Sequence, residues 1–364
     1  MKNKRINLSV FAVVWLLPVL LWTSVAQVFK MEKGSVRRFP ARHLRNVAVD
    51  NDYGRVEVRT TDADVIKIIY TVHIEADDAA TARKAITRIR PFFRKAADTA
   101  LRIETRVKRD EEWERLKSGV QQFYIDYTLI LPKQTALDLR ADYGTLEVKK
   151  MEARLSCEMD YGHIRIGELH HSGNIIRGDY IDSLQIGFMR GGRIESDYTS
   201  GRIGLVFHLE GDGDYNRLEI DHAKNLHWRG DHNILEIQRV KNLILRGDYQ
   251  RVRIRQIFNA DFRGDGNKVV IHRLAHGPYR IHLDDEYGNY RILNENDVPF
   301  RLNLRGDFLL DYGRKIYLIV NKVNKERKTM GYYLKEDAPL LIHGYLRHSR
   351  IQLMPNAPSG GEND

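Results

Sequence analysis

Residues 243–252 read LILRGDYQRV. The fold turns on whether Arg246-Gly247-Asp248 is a docking tripeptide of the integrin-binding kind or one corner of a repeating chain. The same tripeptide recurs at 177–179, 229–231, 263–265 and 305–307. A ligand loop needs one copy, whereas a repeating fold needs many. The wider marker is an Asp that is usually followed by Tyr: Asp142, Asp160, Asp179, Asp197, Asp214, Asp231, Asp248 and Asp265, then Glu286, at intervals of 18, 19, 18, 17, 17, 17, 17 and 21 residues. Asp52-Tyr53-Gly54 and Asp311-Tyr312-Gly313 are outlying copies.

Apolar residues hold a fixed register about each marker, five and three before it and four and six after it. In the quoted copy these are Leu243, Leu245, Val252 and Ile254, and in the copies on either side Leu226, Trp228, Leu235 and Ile237, then Ala260, Phe262, Val269 and Ile271. Alternation with period two on both sides of a turn reads as two short strands, each with one buried face. A unit this short closes no core alone, but coils stacked at about 4.8 Å bury a continuous one. The expected fold is therefore all-β, a parallel β-helix or β-solenoid with about 17–18 residues per coil. In that register Arg-Gly-Asp is a corner: Arg points outward, Gly lets the backbone turn and Asp satisfies turn amides.

Stacking places successive Asp residues one strand spacing apart, where like charges repel. The register offers a parallel ladder of Arg177, Arg229, Arg246 and Arg263, preceded by Arg140, to offset that repulsion; bound calcium is the alternative. Tyr143, Tyr161, Tyr180, Tyr198, Tyr215, Tyr249 and Tyr287 line the same corner. These rings either cover the corner by stacking or, beside the outward arginines, form a platform for a sugar or another protein. Replacement of Tyr by His232 and Gly266 departs from the pattern and weakens any role that needs an unbroken ladder.

The chain has 364 residues and a net charge of +10, with 42% hydrophobic and 30% charged residues, too apolar for wholesale disorder. Residues 1–26 combine a basic head, an apolar run from Leu8 to Trp22 and Ala26 at a small-residue site, which reads as a cleaved signal peptide. The mature chain is then expected to be exported, to the periplasm or the cell surface, without a transmembrane anchor. Cys157 is the only cysteine, which leaves no internal disulfide and no Cys-based metal site. Basic charge favours an anionic envelope partner, glycan or protein. Arg and Lys are interleaved with Asp and Glu and no nucleic-acid-binding motif is present, so no nucleic acid is expected.

Residues 40–136 read as an N-terminal cap of strands and a helix. A strand over Val65 to Ile74 precedes a helix that Asp77-Asp78 opens, with Ala82, Ile86 and Ile89 at helical spacing and Pro91 ending it. A strand near Leu101 to Val107, a charged loop from Lys108 to Lys117 and a strand from Phe123 to Leu131 follow. Residues 137–313 carry the β-solenoid repeats, 314–353 the C-terminal cap strands and 354–364 a disordered tail. Both open ends of a solenoid need such covering.

The stretches Asp52-Tyr53-Gly54-Arg55-Val56-Glu57-Val58 and Asp142-Tyr143-Gly144-Thr145-Leu146-Glu147-Val148, with Ile130-Leu131-Pro132 before Leu137-Asp138-Leu139, resemble the bacterial exported "putative adhesin" β-strand-repeat family, a domain of unknown function related to autotransporter adhesin head domains. The resemblance covers most of the mature chain. It implies a β-helix at the cell envelope and supplies no catalytic residues. Other β-helices are polysaccharide lyases and hydrolases, so a glycan-processing enzyme is the alternative. The polar residues here are periodic, whereas an acid and a base need different environments. His222, His227 and His232, five apart, fall on opposite strand faces and form no ligand set. The expectation is a non-enzymatic binding or scaffolding protein with no cofactor and no metal.

Overall fold

The computed structural model describes residues 28–96, 99–323 and 326–355. The signal peptide expected over residues 1–26 lies outside the described residues, as does the expected tail beyond residue 355. The fold is all-β, with strands joined into one continuous sheet from Phe29–Pro40 to Leu340–Leu353. Among the described residues no helix is long and apolar enough to cross a membrane.

The centre of the chain is a parallel stack. Strand Arg217–Arg229 lies on Ile234–Arg246 with Leu218 on Leu235 and Trp228 on Leu245, so each residue meets the one 17 positions later. The same offset joins Ile234–Arg246 to Arg251–Asp265. Like therefore stacks on like, and the expected inward residues are all buried: Leu226, Trp228, Leu235, Ile237, Leu243, Leu245, Val252, Ile254, Ala260 and Phe262.

A further inward column escaped the sequence reading. Met151, Leu169, Met189, Val206, Ala223, Val240, Ile257 and Leu274 are also buried. Before Val240, Gln238 and Arg239 both face out, and Lys241 and Asn242 do so after it. Two successive outward residues mark a bend in the strand, and a bend breaks the period-two pattern that would have revealed Val240.

At each corner the backbone is left-handed. Gly178, Gly213, Gly230, Gly247 and Gly264 have φ between 119° and 154°, and a Cβ on Gly247 would lie 2.1 Å from the carbonyl oxygen of Gly230. Glycine is required there by both conformation and space. Arg305-Gly306-Asp307 is likewise a corner, with Gly306 at φ 117°. The outlying marker Asp311-Tyr312 is not one, because Tyr312 lacks the left-handed backbone of the marker tyrosines from Tyr143 to Tyr287.

The corner is bonded in both directions along the stack. The Asp160, Asp179, Asp197, Asp214, Asp231 and Asp248 Oδ1 atoms each accept the backbone N–H of the marker Asp one coil on, at 2.6–2.9 Å. Two residues after the marker, a buried amide acts the other way: Asn216 accepts from Thr199 N–H, Asn233 from Asn216 N–H and Asn267 from Gln250 N–H. The Asn233 and Asn267 side chains also donate to the Gly213 and Gly247 carbonyls. A polar residue inside the coil is tolerable only when its hydrogen bonds are made, as here.

Both ends depart from the expected layout. Strands Asn46–Asp50 and Gly54–Thr61 pair in parallel with Ala136–Asp142 and Gly144–Met151, which seats a coil from before the inserted segment directly on the repeat. Strands Ala100–Val107 and Val120–Pro132 then cover its outer edge. The helix is Ala79–Ala85, with Asp78 accepting from the Ala80 and Thr81 amides; Ile89 and Pro91 belong to strand Ile89–Ala96 instead. The charged loop expected over Lys108–Lys117 contains a second helix, Glu111–Leu116, because Asp110 caps Trp113 N–H and Trp113 is buried. At the other end Leu340–Leu353 does not lie outermost. It pairs in parallel with Arg280–Glu286 and Asn289–Ile292 on one side and with Phe300–Tyr312 on the other.

Asp285 sits inside the last coils, with Oδ2 accepting from Asn267 Nδ2 at 2.7 Å and Tyr290 Oη at 2.8 Å. Burial first of all pushes its carboxyl up to about 7, against the lowering effect of those two hydrogen bonds. The folded state thus keeps a proton that the unfolded chain loses near the ordinary 3.8, and stability from this group falls as pH rises between those values. Asp285→Asn should accordingly gain in melting temperature over the wild type on going from about pH 5 to about pH 8. Thermal melts of both proteins across that range check it, and a constant difference would refute it.

Trp228 packs over Gly211, where a Cβ would lie 1.9 Å from the indole. Trp228→Ala opens a cavity that Gly211 cannot fill and should cost about 3–5 kcal/mol, read from denaturant midpoints.

Candidate binding surface

The marker Tyr residues lie immediately after the corner Asp, and their backbone places them. Tyr143, Tyr161, Tyr180, Tyr198, Tyr215, Tyr249 and Tyr287 have φ of 51–59°, as does His232. Each left-handed non-glycine residue costs about 1–2 kcal/mol relative to ordinary backbone, so something must hold it there. Part of the answer is the backbone: the N–H of Tyr143, Tyr161, Tyr180, Tyr198, Tyr215 and Tyr249 donates to the carbonyl of the marker Asp one coil on.

The rings supply the rest. Tyr143, Tyr161, Tyr180, Tyr198 and Tyr215 stack in sequence with centroids 5.0–5.1 Å apart and planes within 7° of parallel. Tyr53 extends the stack below Tyr143 at 5.7 Å. His232 continues it, 4.8 Å from Tyr215 and 5.2 Å from Tyr249, so the expected break at His232 does not occur. The break is at Gly266, where a Cβ would lie 2.9 Å from the Tyr249 ring. Beyond it Tyr287 stacks on His348 at 5.2 Å, a pairing between distant parts of the chain that no repeat spacing announces.

The ladder tyrosines named at the outset are 46–64% exposed although their neighbours cover their faces. Face-to-face stacking leaves ring edges and hydroxyls for solvent. Desolvation first, and then adjacent tyrosines, hold the Tyr161 and Tyr198 hydroxyls above the usual phenol range, so these groups remain hydrogen-bond donors.

The arginines do not form the expected positive ladder against the marker Asp. Their column runs Arg140, Glu158, Arg177, Glu195, Asp212, Arg229, Arg246, Arg263 and Asp284 along the stack. Arg177 pairs with Glu195 at 2.5 Å, while Arg246 and Arg263 share Asp261 at 2.7 and 3.1 Å. Arg229 donates to His227 Nε2 at 3.4 Å. The marker carboxylates are relieved instead by the amides they accept. Arg246 and Asp248 are both occupied within the stack, which accounts for the tripeptide as a corner. Among the described residues no group of three or more His, Cys, Asp or Glu is placed to hold a metal.

No family model matches the chain, and no curated protein matches it. Solved structures similar to it include a putative cell adhesion protein from Clostridium sporogenes (6% identity over 90% of this chain and 100% of that one, TM-score 0.20). A putative lipid binding protein from Parabacteroides distasonis (9% identity, 88% and 96%, TM-score 0.27) and a putative adhesin from Bacteroides fragilis (10% identity, 88% and 97%, TM-score 0.22) are also similar. At such TM-scores the likeness carries no argument about this chain.

The ladder's own energetics are testable at Tyr198. Tyr198→Ala and Tyr198→Gly both remove the contacts with Tyr180 and Tyr215, but glycine tolerates the left-handed backbone. The glycine variant should therefore be the more stable of the two by about 1 kcal/mol, measured by chemical denaturation.

Proposed function

We propose that the chain is an exported, non-enzymatic β-solenoid that binds a glycan or protein of the cell envelope along its ladder of rings. The observation that carries this reading is the uninterrupted stack from Tyr53 to Tyr249, exposed at one corner throughout its length. A row of tyrosines whose rings are evenly spaced from Tyr143 to Tyr215 suits a partner that is itself periodic, because each further donor engaged adds to binding without a further loss of translational freedom. The faces of the rings are taken up by stacking, so contact falls to their edges and hydroxyl donors rather than to open aromatic platforms. The net charge of +10 favours an anionic polymer.

Replacing Tyr180, Tyr198 and Tyr215 together by Phe keeps the stack and removes three donors. On an array of envelope glycans, supplemented by envelope protein extracts of known composition, the triple variant should bind its best ligand at least tenfold more weakly at unchanged melting temperature. Equal binding would remove the ladder from the recognition surface. A parallel assay for depolymerisation separates the enzymatic alternative: shortened polymer chains in any sample would overturn the non-enzymatic reading.

A further inference from the structure

Two strands of the fold leave an edge open, and they treat it differently. Among the described residues Phe29–Pro40 pairs with Val65–Ala76 alone, and it carries Lys30, Glu32, Lys33, Arg37, Arg38 and Pro40. Charges and a proline are the usual means by which an edge strand avoids pairing with another chain. Strand Ile316–Val323 pairs, among the described residues, with Glu326–Tyr333 alone. Its first five residues, Ile316 to Val320, include no charge, no proline and no glycine.

Both faces of that stretch are apolar. On one face Tyr317 and Ile319 are 61% and 62% exposed, and Tyr317 stacks on Tyr332 across the strand pair at 5.1 Å. On the other Ile316 is buried, Leu318 packs against the core half-buried and Val320 is 45% exposed. The edge thus presents backbone N–H and C=O groups between apolar side chains, the arrangement that accepts a further strand. Its surroundings are basic: residues 314–328 hold Arg314, Lys315, Lys322, Lys325, Arg327 and Lys328 against the single acid Glu326. A second copy of this chain does not match that charge. The same strand brings the same excess, and Phe29–Pro40 brings four bases against one acid. An anionic membrane answers the charge but not the backbone, since open N–H and C=O groups cannot enter hydrocarbon without a large cost. An acidic extended segment answers both.

We propose that Ile316–Val320 is a docking edge to which a partner protein adds a strand, with apolar side chains at the centre of that strand and Asp or Glu on either side of them. Main-chain hydrogen bonds along the edge hold the added strand, and the alternation of Tyr317 and Ile319 with Leu318 and Val320 selects its apolar residues. Arg314 and Lys315 before the stretch and Lys322 after it select the acidic flanks and speed the encounter. The site draws on none of the stacked rings from Tyr53 to Tyr249.

The test uses the mature chain and a synthetic peptide with a valine–threonine core between paired glutamates, alongside the same peptide with lysines in place of the glutamates. The acidic peptide should bind, followed by fluorescence anisotropy, and should slow hydrogen exchange at alternate backbone amides between Ile316 and Val320. The lysine peptide should bind at least tenfold more weakly. Ile319→Lys, which charges the centre of the edge, should weaken the acidic peptide at least tenfold, while Ile319→Thr, which keeps a β-branched side chain there, should bind it as the wild type does. If Ile319→Lys proves unfolded, the exchange pattern of the wild type makes the same distinction. Unprotected amides, equal binding of the two peptides or equal binding by a folded Ile319→Lys would overturn the proposal. So would protection of those amides by self-association without peptide, which assigns the edge to a second copy, or attachment to phosphatidylglycerol vesicles without peptide binding, which assigns it to a membrane.

Discussion

From Asp160 to Asp248 each corner aspartate gives one carboxylate oxygen to the backbone amide of the aspartate in the next coil, and the regularity of the stack depends on that bond. The bond is made across intervals of 19, 18 and 17 residues, so it fixes the corner of one coil over the corner of the next rather than the length of chain between them. In the coils of Asp214, Asp231 and Asp265 a buried asparagine two residues later accepts in the opposite direction along the stack. A negative group repeated every coil would otherwise accumulate repulsion. Turning each carboxylate onto an N–H dipole relieves it locally, without a counter-ion and without the arginines.

From the stacking of corner on corner the rest of the surface follows. Equal residues lie above one another at the spacing of strands, which is close to the spacing at which aromatic rings stack. The corner tyrosines therefore enclose one another, and each interior ring gains two stacking partners. Aromatic pairs of this kind contribute about 0.5–1.5 kcal/mol apiece, which is comparable with the cost of the left-handed backbone that projects them. The ladder is thus roughly balanced as a structural device, and its edge stays exposed.

The same stacking organises charge. In the column two residues before the marker, acidic residues alternate with basic ones in the earlier coils, so that Arg140 lies by Glu158 and Arg177 by Glu195. Where three arginines fall in succession, Asp261 from the neighbouring column takes two of them. Such exposed pairs contribute little individually. Their main effect is to keep one column from becoming a block of a single sign.

The sequence by itself determined the interior of the central coils and the role of Arg-Gly-Asp, since period-two burial about Leu245 and Val252 and a glycine at every such tripeptide are local constraints that recur with each repeat. It also indicated the ring ladder, though not that His232 belongs to it, because an imidazole stacks as a phenol does while a pattern of letters records only the change. The inward Val240 column stayed hidden behind bends that suspend the alternation. Only the tertiary structure decided that the segment from Asn46 to Thr61 is a coil, that Leu340–Leu353 inserts between earlier strands, and that Tyr287 meets His348 and His282 meets His343. These are contacts between residues far apart in the chain, and sequence periodicity reports a residue's neighbours along its own strand, whereas parallel pairing is settled by which edge is left open when that strand arrives.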